Sequence, residues 1–559
     1  MGFVERNKAA LNDSVARSAV GKYFHLGGSG HPCEIRNAKF TTELRAGLTT
    51  FFTMAYIIAV NATILTDSGG TCVCNDTVDP TCMNDEVYSL CLVEINRDFI
   101  TATAAIAALG SCLMGISANL PVAVAPAMGL NAYLTYQMVG FHGTGAIDYR
   151  VAMLAVFVEG FIFVALSLLG IRQWLARIIP ASIKVACGAG IGLFLTLIGL
   201  SYSSGLGAIT GSTVTPLELG GCPPEFLNAD TGACKGHKVT NPTMWLGFLV
   251  GGVFPALLMT YKIPGSMVVG IALVSILSWP RDTSITSFPR TVLGDSRFDF
   301  FKKVVAFHPI KHTLVAQNWD LSNVGGHFIL AVFTMLYVDI LDATGTLYSM
   351  ARFSGVVDPD TGDFPKSTIA YSADAIAISI GSLFGSSPVT AFVESGAGIQ
   401  EGGRTGLTAI TTGLLFFASL FFAPIFASIP PWATGGALIL VGCMMMRGVV
   451  AINWNYPGDS IPAFVTLMFM PFSYSIAYGL IAGIICYTII NSATWAVGFV
   501  SRGKILPPEY DNKEYWSFQS DYPRGQPWFI RAMKGDKHFW KPENPNHFEL
   551  ESTEHDPKE

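Results

Sequence analysis

The chain is a succession of apolar blocks, each near the ~20 residues a helix needs to cross a bilayer, separated by short polar connections. Blocks at about 43–65, 98–117, 149–170, 185–203, 242–261 and 263–280, then 326–348, 368–386, 404–428, 434–450, 459–473 and 475–499, predict twelve membrane helices. Two further stretches, NLPVAVAPAMGLNAYLTYQMV (119–139) and SPVTAFVESGAGIQEG (387–402), are interrupted by Pro or Gly and carry polar residues mid-segment. They predict broken spans, each a short extended piece leading into a half-helix, and raise the expected count to fourteen.

The pattern also repeats. FFTMAYIIAVNAT (51–63) matches VFTMLYVDILDAT (332–344) without a gap, so that Asn61 falls over Asp342 and Ile58 over Asp339. GSCLMG and PVAVAPAMG (110–129) match GSLFG and PVTAFVESG (381–396), with Pro121 over Pro388 and Gly129 over Gly396; IPGSMVVGIAL and SIAYGLIAGII match more weakly. Two halves of seven crossings must have opposite orientation, which is the inverted-repeat plan of secondary transporters, with the ligand expected where the paired broken spans meet near the midplane. The expected fold is therefore an all-α polytopic membrane protein of fourteen segments in two inverted seven-segment repeats.

Composition agrees with this class. Hydrophobic residues make up 51% and charged residues 13% of 559, and mean hydropathy is +0.45, too apolar for an ordinary soluble protein. The net charge of −6 is spread over tails and connections, so no nucleic-acid partner is indicated. MGFVERNKAALNDSVARSAVGKYF lacks the apolar core of a signal peptide, and MGFVER lacks the Ser or Thr of a myristoylation signal. Basic residues from Arg6 to Arg45, with Arg172, Arg177, Lys262, Arg352, Lys366, Arg404 and Arg447, fall on one side when fourteen spans are threaded, which predicts cytoplasmic termini. The 281–325 loop, with Arg281, Arg290, Arg297, Lys302, Lys303 and Lys311, comes out external against that rule. Asn75-Asp76-Thr77 is a glycosylation acceptor beside Cys72, Cys74, Cys82 and Cys91, and Cys222 and Cys234 share a second external loop where disulfides are expected. Without a CxxC pair or nearby His, zinc is the weaker reading of these cysteines.

Two acids, Asp339 and Asp342, interrupt an otherwise apolar span. A charge at the bilayer centre costs roughly 2.5–3.5 kcal/mol even on lenient scales, so acids retained there point to function. Glu394 sits at the break of the second half and Asn131 just past the break of the first; a carboxylate and an amide can read the N–H edge of a heterocycle, although a capping role would use the same residues. Asp339 and Asp342 should share a helix face near Glu394 and form a cluster that binds and releases a proton. Asp374 is a candidate for support of that cluster, and Glu159 stands in no motif. GAGIG (188–192) reads as small-residue helix packing, and neither GxxxxGK[ST] nor GxSxG occurs. An anion carrier of similar plan would place basic residues at the breaks, and a membrane enzyme would need a nucleophile pair or metal cluster; the chain offers acids instead.

NAKFTTELRAGLTTFFTMAYIIAVN, APAMGLNAYLTY, FTMLYVDILDATGTLYSMARFSG, SPVTAFVESGAGIQEGGRTGLTAI and PPWATGGALILVGCMMM resemble the AzgA-like purine permeases, over about residues 35–500. The resemblance implies proton-coupled uptake of adenine, guanine, hypoxanthine and toxic analogues such as 8-azaguanine across the plasma membrane, with no enzymatic activity and no cofactor beyond the proton gradient. It implies a core domain (41–170 and 326–428) and a gate domain (171–280 and 429–500), flanked by tails 1–40 and 501–559 and the 281–325 external loop. Asp339, Glu394 and Asn131, with Phe392 and Ser395, are the implied purine-binding set; Asp342 and Asp374 are left for proton coupling or site support. A homodimer is implied by related carriers.

Overall fold

The computed structural model describes residues 3–513 apart from 33, 36, 75–81, 83–84, 172–179, 203–204, 212–216, 229–232, 323, 357–363 and 503–506. Asn75, Arg172, Arg177 and the tail beyond 513 therefore lie outside the described residues. An N-terminal helix α1 (Phe3–Arg17) precedes the first membrane helix α2 (Phe40–Thr66). Then follow α3 (Glu86–Ala118), strand β1 (Val124–Pro126), α4 (Met128–Tyr133), α5 (Tyr149–Leu168), α6 (Ala181–Leu200), α7 (Pro242–Thr260) and α8 (Ser266–Ser278). Helix α9 (Val292–Phe301) leads to α10 (Gly325–Ser354), α11 (Ser367–Leu383), strand β2 (Val389–Ala391) and α12 (Ser395–Gln400). The last four are α13 (Gly406–Phe426), α14 (Pro431–Ala451), α15 (Pro457–Phe472) and α16 (Ile476–Val500).

Among the described residues nine helices are long and apolar enough to cross a membrane. Of the remaining predicted spans, α8, α11 and α15 are shorter helices of 13, 17 and 16 residues. The other two are the interrupted stretches, and each holds a strand where an extended piece is predicted. α3 begins well before residue 98 because Asp85 caps it, accepting from the Val87 and Tyr88 amides.

The two breaks solve one problem together. Extended backbone in lipid leaves amides without partners, and β1 and β2 supply them by pairing antiparallel, Val124 opposite Ala391 and Pro126 opposite Val389. The ribbon continues at both ends, where Ala127 N–H donates to the Pro388 carbonyl (2.8 Å) and Phe392 N–H to Ala123 (3.0 Å). Its outer edge is closed by hydroxyls: Ser111 of α3 accepts from Val124 N–H (3.0 Å), and Ser395 accepts from Ala123 N–H (3.0 Å).

Around the ribbon the helices fall into two packing groups. α3 lies against α13 and α2, and α11 against α5 and α3, with α10 on α5; separately, α6 packs on α14 and α15, and α15 on α16. At the α3–α13 crossing, Asn119 in left-handed conformation (φ 57°) ends α3 and accepts from Gly406 N–H (2.8 Å). A Cβ on Gly406 would overlap the Gly115 carbonyl. Cys72–Cys91, Cys74–Cys82 and Cys222–Cys234 are disulfides, which settles the cysteine chemistry of the two loops. Three of the six Lys and Arg residues of the 281–325 loop are matched locally: Arg281 pairs with Asp295, Arg290 with Asp282 (2.6 Å) and Lys302 with Asp299 (2.9 Å). Counting its cations alone overstates its positive charge.

Two outcomes follow from this packing. Gly406→Ala is expected to cost about 1–3 kcal/mol by overpacking, read as a fall in thermal unfolding temperature in detergent, whereas Gly188→Ala, with open space at its Cβ position, is expected to be neutral or stabilising. Partial burial, then the neighbouring His31 and Lys366, hold the His25 imidazole below its ordinary value of 6.5. The folded segment thus prefers neutral His25, so its contribution is present above that value and is lost as pH falls through the lower folded value. Amide-exchange protection of residues 24–38 should therefore decline on acidification to about pH 5, and His25→Gln should remove that part of the decline.

Candidate functional site

Glu394 stands at the turn from β2 into α12 and is half-buried. Its Oε1 accepts from the Tyr56 hydroxyl (2.9 Å) at the break within α2, and its carbonyl accepts from Thr53 Oγ1 (3.4 Å). Oε2 has no hydrogen-bond partner among the described residues. Phe392, two residues earlier, is buried and held by the ribbon, and Ser395 is fully buried with its hydroxyl engaged by Ala123 N–H.

Asn131 lies on α4, the matching half-helix, fully buried. Its Nδ2 donates to the Asn61 carbonyl (3.2 Å), while its Oδ1 has no partner among the described residues. Asn61 is itself a junction: its Nδ2 donates to Thr103 Oγ1 (2.8 Å) and its Oδ1 accepts from Ser387 Oγ (3.2 Å). One residue, through its side-chain amide and its backbone carbonyl, thereby joins α2, α3, α4 and the entrance to β2. The sequence marked Asn61 only as the counterpart of Asp342 in the repeat, and Tyr56 carried no signal beyond the repeat itself.

α10 divides its two acids. Asp342 is half-buried, hydrogen-bonded by the Thr346 hydroxyl and within electrostatic range of Glu394. Asp339 is fully buried, neither of its oxygens has a partner among the described residues, and its charged neighbours are Glu159 on α5, Asp374 on α11 and Asp342. Three residues at ~100° each leave them about 60° apart on one broad helix face, with different neighbours along it. The structure thus places Asp342 toward Glu394 and turns Asp339 toward Glu159 and Asp374.

What the site presents here are side-chain atoms without partners among the described residues, Glu394 Oε2 and Asn131 Oδ1. A half-buried carboxylate with a spare oxygen, an amide with a spare carbonyl and the nearby rings of Tyr56 and Phe392 suit a flat ligand bearing N–H donors. A separate cavity of about 300 Å³ lies between Thr63, Asp67, Asn96 and Arg97 on one wall and Phe300, Pro430 and Pro431 on the other, and none of these acids lines it.

Residues 41–482 match the family of xanthine/uracil permeases, described as the Permease family. The chain belongs to this family. It is 60% identical to an efflux pump of Aspergillus versicolor over 95% of this chain and 92% of that one, and 58% identical to a putative xanthine/uracil permease of Schizosaccharomyces pombe over 94% and 84%. An adenine permease of Escherichia coli is 33% identical over 81% of this chain and 87% of its own, and a guanine/hypoxanthine permease of Bacillus subtilis 34% over 81% and 91%. The transmembrane domain of a cyanobacterial bicarbonate transporter shares the fold at 15% identity (TM-score 0.51, covering 80% of this chain and 98% of that one). The protein is thus a multi-pass membrane transporter of the nucleobase permease family, not an enzyme.

Asn61→Ala would strand Thr103 and Ser387 in a buried position at about 1–3 kcal/mol per unpaired group. The permease carrying it is expected to unfold several degrees lower in detergent and to lose transport, whereas Tyr56→Phe, which removes one hydrogen bond to Glu394, should keep wild-type stability and weaken substrate affinity by up to about tenfold.

Proposed function

We propose that this permease is a proton-coupled carrier of purine bases, adenine, guanine and hypoxanthine, across the plasma membrane, with both termini cytoplasmic. In this reading its fourteen spans form two inverted repeats, with 41–170 and 326–428 as a core and 171–280 and 429–500 as a gate. The two packing groups of helices support the division. The observation that carries the substrate reading is the antiparallel ribbon, which brings the half-helices of Asn131 and Glu394 to one place with an unused acceptor on each. A purine presents ring and exocyclic N–H donors to such acceptors, and the names of the bacterial relatives favour purines over pyrimidines.

Glu394 and Asn131 read the base edge, with Phe392 against the ring and Ser395 holding the ribbon in register. Asp339 of α10 completes the binding set, and Asp342 with Asp374 serves proton coupling or support of the site. Alternating access follows from rocking of gate against core around this fixed site. One relative bears the name of an efflux pump, which favours a second reading in which the net flux is outward.

Uptake of radiolabelled adenine, guanine, hypoxanthine and uracil in cells stripped of their own nucleobase carriers tests both. Saturable purine uptake that an uncoupler abolishes and that Glu394→Ala, delivered to the surface, reduces more than about tenfold supports the proposal. Uptake indifferent to Glu394→Ala would move the binding role elsewhere; no uptake but accelerated loss from preloaded cells would select efflux.

A further inference from the structure

Helix α9 sorts its charges onto two faces. Asp295 and Asp299 pair with Arg281 and Lys302, and both of those cations lie over the Phe298 ring at 4.8 and 4.7 Å. Leu293, Arg297 and Phe300, at the i, i+4, i+7 spacing of the other face, line the cavity of about 300 Å³ that α9 shares with α3 and the start of α14. Arg297 is thereby separated from the acids of its own helix. It makes no hydrogen bond or ion pair with another residue, and although protein surrounds it, the surface it keeps exposed belongs to the cavity wall.

The charge that acts on Arg297 is a like one. Its surroundings, then Arg97 of α3, press its guanidinium below its ordinary value. Arg97 is itself fixed in place: it pairs with Glu94, donates to the Ser296 carbonyl (3.1 Å) and hydroxyl (3.4 Å), and stacks over Phe300 at 4.3 Å. Those bonds use its two terminal nitrogens and leave its Nε–H without a partner. Two guanidiniums against the one carboxylate of Glu94 give this end of the cavity a surplus of positive charge, while Asp67, the acid on the cavity wall, accepts from the Tyr136 hydroxyl (2.7 Å). Beyond the arginines the wall is apolar at Leu92, Val93, Pro430 and Pro431. Leu92 adjoins Cys91, whose disulfide to Cys72 belongs to an oxidising compartment, so this cavity lies on the side of the membrane that faces one.

We propose that the cavity binds a small organic phosphate from the disulfide-bearing side of the membrane, its oxyanion held between Arg297 and the free Nε–H edge of Arg97 and its body against Phe300, Pro430 and Pro431. A guanidinium fork matches the oxygens of a phosphate, and a bound anion relieves the repulsion between the two arginines. A soluble phosphate ester and a phospholipid head group offer the same chemistry. Pro431 opens α14, which belongs to the other packing group from α3, so an occupant touching both walls resists their relative movement and slows the transport cycle. That last consequence rests on the carrier reading above.

The test is calorimetric binding of glycerol 3-phosphate to the full chain in detergent, with glycerol and inorganic phosphate as controls, and retention of phosphatidic acid from mixed phosphatidylcholine micelles as the lipid arm. Arg297→Gln breaks no bond and is expected to unfold at the wild-type temperature while weakening the ester more than about tenfold; Arg297→Lys, which keeps the charge without the fork, should fall between. If a head group is the occupant, wild type retains phosphatidic acid and Arg297→Gln loses it. Equal behaviour of wild type and Arg297→Gln in both arms would overturn the proposal, as would glycerol binding as tightly as its phosphate. Inorganic phosphate binding as tightly as the ester would also overturn it, leaving an adventitious ion only. In proteoliposomes the ester, added on the disulfide-bearing side, is expected to slow purine counterflow at least about twofold in wild type and not in Arg297→Gln; unchanged counterflow at saturating ester would overturn the restraint on α14. If wild type moves no purine, the carrier reading fails, and the binding arms still decide the site.

Discussion

Backbone amides inside a bilayer must find partners within the protein, and this constraint shapes the centre of the permease. Two breaks, far apart in sequence, are each untenable alone because a three-residue extended piece exposes donors and acceptors on both edges. Paired, they satisfy each other on the inner edge, and Ser111 and Ser395 close the outer one. Everything proposed for the site follows from that pairing. It brings α4 and α12 together, aims Glu394 at Tyr56 of α2, and leaves Asn131 hanging from Asn61.

Small residues make the pairing affordable in space. α3 must run close to α13 to put Ser111 beside β1, and the Gly115–Gly406 contact allows an approach that a Cβ would forbid. Asn119 then does two things at once: its left-handed backbone ends α3, and its side chain caps α13 through Gly406. In lipid, where burial of apolar surface offers little net drive between helices, such close van der Waals contact and such polar ties replace it.

The sequence was most legible where physics leaves a local mark. Pro121, Pro126 and Pro388 announce the breaks, and the cost of acids in lipid singles out Asp339, Asp342 and Glu394. Strand pairing left no mark, because three residues carry no period and the partner lies in the other half of the chain. The division of labour on α10 was equally hidden: spacing alone places Asp339 and Asp342 on one face, and only the neighbouring helices decide that one meets Glu394 while the other meets Glu159. Glu159 has no motif around it, so its meaning comes entirely from α10 and α11.

The 281–325 loop ties several of these helices to one another. From 306 to 318 it is tied by hydrogen bonds to four helices: Ala306 N–H to Phe421 on α13, the His308 carbonyl to Thr101 on α3, Val315 N–H to Leu383 on α11, and Asn318 N–H to Arg150 on α5. Gln317 adds a bond to the Ser382 carbonyl, and Tyr149 reaches the Gly385 carbonyl (2.7 Å). These helices are those that hold the ribbon and two of the three clustered acids. Bonds that fasten these four helices to one another favour their moving as a unit.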